Sequence, residues 1–448
     1  MNKGWTGIAN AVPGWDGKLL AELVEKHRRV IHVCHDDARM DDLEGYVKFF
    51  TPDLEVLKIP AWDCLPYDRV SPNPAIGSQR AFAFSYLAEL EPQHTCLILT
   101  TVNAYLQRLP PRSFFQGMSK TLNLGKKYPL ADLLIFLEHG GYLRTDTVRE
   151  AGEFAVRGGI LDIFPAGSEE PLRLDFFGDE LEHIRLFDPI SQRSTGRIES
   201  AQLSPVSEII LNSESLTRFK NGYRRTFGAD AAKDHIYQSI GEGRYYAGME
   251  HWLPLFHDKL DALETYTNST VLTLDSEVEA FVTSRFELIN EYFEARNSLE
   301  QTNKSDDVAV YRPLEPTSLY LSPKEWALKK ETSEVFQFHP LNFAMSSDKG
   351  KFLMDANVVP GIDLTEMRQQ KGVNIYSELI RKAKKLQGSG KKVLICAFSP
   401  GSAERLFTIL SEYNESIVEN IEDYSQLLSL SSNKIGMTIL PIEKGFES

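Results

Sequence analysis

Cysteine is scarce. The chain has four, Cys34, Cys64, Cys96 and Cys396, widely scattered and with no CxxC pair. That pattern offers neither a disulfide framework nor a zinc ribbon, and it fits a reducing, cytoplasmic setting. No apolar run is long enough to span a bilayer. The opening residues, MNKGWTGIAN, lack the apolar core of a signal peptide. Positive charge is in deficit, with a formal net charge of −14. General nucleic-acid binding is driven by phosphate neutralisation, so this balance argues against it and makes a protein partner the default. The sequence contains no HExxH, no GxSxG and no tandem repeat. No catalytic residue, metal or cofactor is expected.

What is present is ample core material. The chain has 448 residues, 42% of them hydrophobic, enough for about three domains of roughly 150 residues each. Residues 1–115 alternate helical and β-rich runs, the latter being RRVIHVC, LEVLKIP and TCLILTTV. That alternation predicts a parallel α/β layer, with Asp16 as N-cap of the first helix. Between its last two β-rich runs, WDCLPYDRVSPNPAIGSQR reads as a long surface loop. From about 120 to 205, short runs (FAVR, ILDIF, LRLDFF, LEHIRLF) are separated by Gly-Gly and Gly-Asp. They predict an insertion built of antiparallel hairpins. Residues 206–330 read as largely helical with a strand at TVLTLD. From about 335 the pattern predicts a small further α/β unit. The final stretch, KIGMTILPIEKGFES, reads as a strand and the start of a new connection, so a longer protein is expected.

One stretch has the position of a phosphate loop. In VPGWDGKL, Gly17 and Lys18 stand in register with the Walker A pattern GxxxxGK[ST], but Val12 replaces the first glycine and Leu19 the hydroxyl residue. Leu19 has no oxygen to offer a magnesium ion, and Val12 carries a Cβ where the turn must be close. The loop is expected to be inactive. GSGKK at 388–392 precedes its strand rather than following one, so it reads as a turn. His32-Val33-Cys34-His35 has no second ligand group at a recognised spacing and reads as strand.

The insertion carries a compositional bias. From Tyr128 to Thr217 there is no lysine, yet arginine occurs at 144, 149, 157, 173, 185, 193 and 197. An arginine-only set suits planar pairing with carboxylates or stacking on aromatics. In LRLDFF, alternation puts Leu172, Leu174 and Phe176 on one face, and Arg173, Asp175 and Phe177 on the other. A large aromatic thus falls among charges. Internal ion pairs and a protein-binding face both account for this pattern.

The run RGGILDIFPAGSEEPLRLDFFGDELEHIRLFD resembles the second domain of the transcription-repair coupling factors (the Mfd family) and of the related UvrB. IPAWDCLPYDRVSPNPAIGSQR, TTVNAYLQRLPPR and RYYAGMEHWLPLF resemble Mfd segments around it. The resemblance implies a degenerate, helicase-like α/β domain in two parts, 1–118 and 207–332. It places a UvrA-binding insertion at 119–206 and a small α/β domain at 333–448. At the second nucleotide motif Asp275 is present, but Ser276 stands where UvrB has a carboxylate. The resemblance implies that Arg157, Arg173 and Phe177 contact UvrA, with Arg185 beside them. It further implies that the full-length protein is an ATP-dependent DNA translocase with RNA polymerase, double-stranded DNA and a C-terminal masking domain as partners. The rival readings are a divergent UvrB-type ATPase and a DNA-binding module.

Overall fold

The structure, a computed structural model, describes residues 4–269, 271–302, 311–341, 351–362, 374–413 and 417–448. Its centre is a parallel sheet. The strands that open it are β1 (Trp5–Ala9), β2 (Arg29–Cys34), β3 (Val56–Ile59) and β4 (Cys96–Thr101), linked by helices α1 (Trp15–His27), α2 (Asp37–Phe50) and α3 (Pro74–Glu89). β2 and β4 are buried at every residue, as strands covered on both faces must be.

The chain then leaves this sheet for the insertion. β5 (Lys120–Asn123), the helix Leu130–His139 and β6 (Leu143–Arg144) lead into β7 (Glu153–Arg157) and β8 (Ile160–Ile163). β9 (Leu172–Phe177), β10 (Glu180–Phe187), β11 (Ser194–Ile198) and β12 (Ser200–Leu203) follow. β6 to β11 form a six-stranded sheet in the order β11-β10-β9-β8-β7-β6, while β12 pairs back with β5. One face packs on the helix through Leu133, Leu137, Phe154, Leu161, Leu174 and Ile184.

After a helical region, β13 (Val271–Leu274), β14 (Glu334–Phe338) and β15 (Lys351–Asp355) return to the large sheet, whose order is β15-β1-β14-β13-β2-β4-β3. This corrects the boundary expected at 333. β14 and β15 pair in parallel on either side of β1, so they belong to the first layer. Beyond them come β16 (Val359–Pro360), β17 (Leu394–Ala397), β18 (Val418–Asn420), β19 (Ile435–Ile439) and β20 (Phe446–Glu447). β17, β19 and β18 make a small parallel sheet, and β16 pairs with β20. The architecture is the expected one: a parallel α/β sheet interrupted by a mainly antiparallel insertion, with a small α/β sheet after it.

Two local expectations are also corrected. Gly14, not Asp16, is the N-cap of α1; Asp16 sits inside the first turn and is buried. The loop after β3 is shorter than it reads, because α3 starts at Pro74 behind an Asn73 cap. Nor is it purely surface. Trp62 and Tyr67 fold inward to an aromatic cluster with Trp252, Tyr320 and Phe219. The buried Arg80–Glu208 ion pair (2.7 Å) helps hold that end, and Trp62 Nε1 donates to the same carboxylate at 3.1 Å.

Candidate partner-binding site

The outer face of the insertion sheet is built by register. Two tight hairpins, turning at Gly158-Gly159 and Gly178-Asp179, end side by side. Phe176 N donates to Gly159 O at 2.8 Å and ties the tips together. A Cβ on Gly159 would lie 2.7 Å from the Phe176 carbonyl oxygen, so the close approach requires glycine. Across the face, Arg173 lies opposite Asp162 on one side and Arg185 on the other. One pair nearer the tip, Ile160 lies between Arg157 and Asp175.

The arginines do not share one state. Arg173 donates Nε and Nη2 to the two oxygens of Asp162 at 2.7 and 2.9 Å, and its guanidinium lies 4.8 Å from the Phe187 ring centroid. The Asp162 bonds hold its guanidinium in the charged form more firmly than usual. Arg185 pairs with Asp175. Arg157 is exposed and donates to the carbonyl of Asp146 and, at 3.2 Å, to Thr147 Oγ1; among the described residues no carboxylate pairs with it. Phe177 is 77% exposed. The ion pairs weighed against a binding face therefore exist, and they leave the aromatic uncovered.

The phosphate-loop position has a different geometry. Helix-terminal amides that could cradle a phosphate are already used: Gly14 N and Gly17 N both donate to Asp16 Oδ1, at 3.0 and 2.8 Å. Asp16 pairs in turn with Arg39, which donates to both oxygens of Asp275 at 3.3 Å. Burial pushes the Asp16 carboxyl up against the pull of Arg39. Burial also opposes ionisation of Asp275, but hydrogen bonds from His32 and His35 and the Arg39 charge outweigh it and hold that carboxyl well below the usual range. Lys18 turns away to Glu22 (2.7 Å) and the Trp15 ring, while Leu19 packs into the core. Val12 closes the turn, accepting from Asp16 N at 3.1 Å. Gly17 is buried against α2, where a Cβ would meet Tyr46 at 2.6 Å. Over the loop lies the C-terminal segment. Ile442 and Phe446 stand 2.6 and 3.0 Å from where a Gly14 Cβ would be, and Tyr46 Oη donates to Pro441 O at 2.7 Å.

Residues 121–209 match the family described as the UvrB interaction domain. The transcription-repair-coupling factor of Escherichia coli (strain K12) is 34% identical over 310 residues, 68% of this chain and 26% of that protein. That of Haemophilus influenzae is 28% identical over 443 residues, 98% of this chain and 36% of that protein. The chain is homologous to transcription-repair-coupling factors. It spans about a third of the length of the curated relatives it matches.

In this transcription-repair-coupling-factor homologue the family match covers the sheet that carries Arg157, Arg173, Phe177 and Arg185. Two features escaped the sequence. Ile160, 37% exposed, joins the same face because β8 alternates Ile160 and Asp162 outward against Leu161 and Ile163 inward. The alternation signal was there, but a four-residue strand beside a Gly-Gly turn does not declare its phase. The other feature is the tie between Asp275 and the His32–Cys34 strand. His32 Nε2, Cys34 Sγ and the Asp275 carboxylate lie within 4.8 Å of one another, a grouping that could hold a metal ion. Arg39 already donates to both Asp275 oxygens, so a guanidinium balances that carboxylate. Only the pairing of β13 with β2 brings these residues together.

Proposed function

We propose that this chain is a recruitment module. It presents the outer face of the insertion sheet, residues 119–206, to UvrA, so that a stalled RNA polymerase is handed to nucleotide excision repair in the cytoplasm. The observation that carries this reading is Phe177: a fully formed, tightly paired strand leaves a phenylalanine uncovered among arginines, within the segment that matches the UvrB interaction domain. An exposed aromatic framed by arginines is the composition of an interface hot spot. Arg157, Arg173 and Arg185 frame it. The two α/β parts, 1–118 and 207–332 extended to β15, act as the scaffold. They perform no nucleotide chemistry, because the Asp16 carboxylate takes the amides and Arg39 the place beside Asp275. In the full-length protein this module would work with an ATP-dependent translocase on double-stranded DNA, and a C-terminal domain would mask the sheet until polymerase is engaged.

Titration of UvrA with this chain tests the reading. Phe177→Ala should weaken binding by roughly thirtyfold, since truncating a central anchor costs about 2 kcal/mol. Its circular dichroism should match the wild type, because the side chain supports no core. Unchanged affinity in Phe177→Ala would move the site off this face.

A further inference from the structure

The two hairpin tips have a chemistry more specific than a basic face. Ile160 lies directly opposite Asp175 on β9, and Phe177 is two residues further along the same strand on the same side. Diagonal neighbours in a sheet are about 7–8 Å apart, within reach of an aromatic ring. Phe177 and Ile160 therefore make one apolar patch across the two tips, the only exposed large hydrophobics on these four tip-flanking positions (157, 160, 177 and 180). The neighbouring cations differ in what they can offer. Arg173 and Arg185 each hold a carboxylate of their own sheet, Asp162 and Asp175. A partner carboxylate there would have to compete with a bond already made. Among the described residues Arg157 makes only neutral contacts, to a backbone carbonyl and a hydroxyl, so its charge is open to an acidic group.

Resting on the recruitment reading, we infer that Ile160 is a second anchor beside Phe177, and that the UvrA patch receiving the tips is an apolar pocket flanked by a carboxylate facing Arg157. Asp162 and Asp175 are positioning residues: Asp162 fixes the guanidinium plane of Arg173 through two bonds, and Asp175 tethers Arg185 at Nη2 beside the patch. The arrangement favours a partner with a hollow over one with a row of acids, because exposed apolar area at the tips is unmatched while two of the three arginine charges are already balanced.

The test is a titration of UvrA at two salt concentrations with the wild-type chain, Ile160→Ala, Ile160→Leu, Phe177→Ala, Arg157→Gln and Ile190→Ala. Ile190 is 91% exposed in the turn after β10, at the other end of that strand, and serves as a control. Ile160→Ala should lose affinity by roughly thirtyfold, as a central anchor does. Ile160→Leu should keep most of the affinity and show that the hairpin itself is intact. Arg157→Gln should weaken binding and flatten its salt dependence; Ile190→Ala should change nothing. If Phe177→Ala weakens binding while Ile160→Ala does not, the second anchor is wrong and the recruitment reading stands. If Arg157→Gln leaves the salt dependence as in the wild type, no carboxylate faces it. If the wild-type chain does not bind UvrA, both the inference and the reading it rests on fall.

Discussion

At the scale of single residues, the same chemistry is resolved in opposite ways by location. Phe177 stays outside because its neighbours on β9, Leu172 and Leu174, already fill the inner face. His251 is drawn inside, among Trp62 and Tyr67, where burial pushes its imidazole down from 6.5 to about 4. The neutral ring is the form that fits. Its contribution to stability is therefore complete above pH 6.5 and is lost as pH falls toward 4, because the unfolded chain takes up the proton first. The loss should reach about 3 kcal/mol at the acid end. Denaturant midpoints of wild type and His251→Gln, compared at neutral pH and near pH 5, check this. The advantage of the wild type should shrink at the lower pH. A constant difference between the two proteins would mean that His251 is not the titrating group.

At the scale of elements, two glycines in helices separate packing from propensity. Gly17 sits where α1 crosses α2, and a Cβ there would lie 2.7 Å from the Tyr46 carbonyl carbon and 2.9 Å from Val47 N. Backbone cannot yield as a flexible side chain can, so Gly17→Ala should destabilise the chain by about 1–3 kcal/mol. Gly77 lies in α3 with nothing within 4 Å of its missing Cβ and no unusual dihedral. Gly77→Ala should instead stabilise by about 0.5–1 kcal/mol, since it only restricts the unfolded chain and improves helix propensity. Thermal melts of both variants decide it: equal shifts in the same direction would refute the packing argument. Gly17 looked in sequence like half of a phosphate motif. Its structural role is contact between helices, a reason that the motif pattern alone does not carry.

At the scale of the whole molecule, the small C-terminal sheet is docked, not tethered. Ile421, Leu427, Leu430 and Leu440 enter the same apolar cluster as Leu20, Val24 and Val47 of the large domain, and Tyr424 packs on Phe50 at 4.9 Å. Ile442 and Phe446 extend that contact over the Gly14 turn. Shared apolar surface should make the two parts unfold together. Ile442→Asp, which buries an unpaired charge at this seam, should split the calorimetric transition or lower its midpoint by several degrees. A single transition at the wild-type midpoint would show that the seam does not couple the two sheets.

Strand identity, the hairpin turns and the outward phase of Arg173 and Phe177 were legible in the sequence, because alternation and Gly-Gly or Gly-Asp turns are local signals. The departure from the Walker A pattern was equally legible, since Val12 and Leu19 lack the atoms that pattern supplies whatever surrounds them. The sequence could not say that Arg173 would spend its guanidinium on Asp162, or that Asp16, Arg39 and Asp275 would meet. Those residues are brought together by strand register and by helices from distant parts of the chain. Nor could it assign β14 and β15 to the large sheet, because a parallel strand carries the same apolar run whichever neighbour it joins. Local chemistry thus determined which side chains of the insertion face outward. Tertiary contact decided which of its charges remain free, because a charge is available to a partner only where the fold has not already paired it.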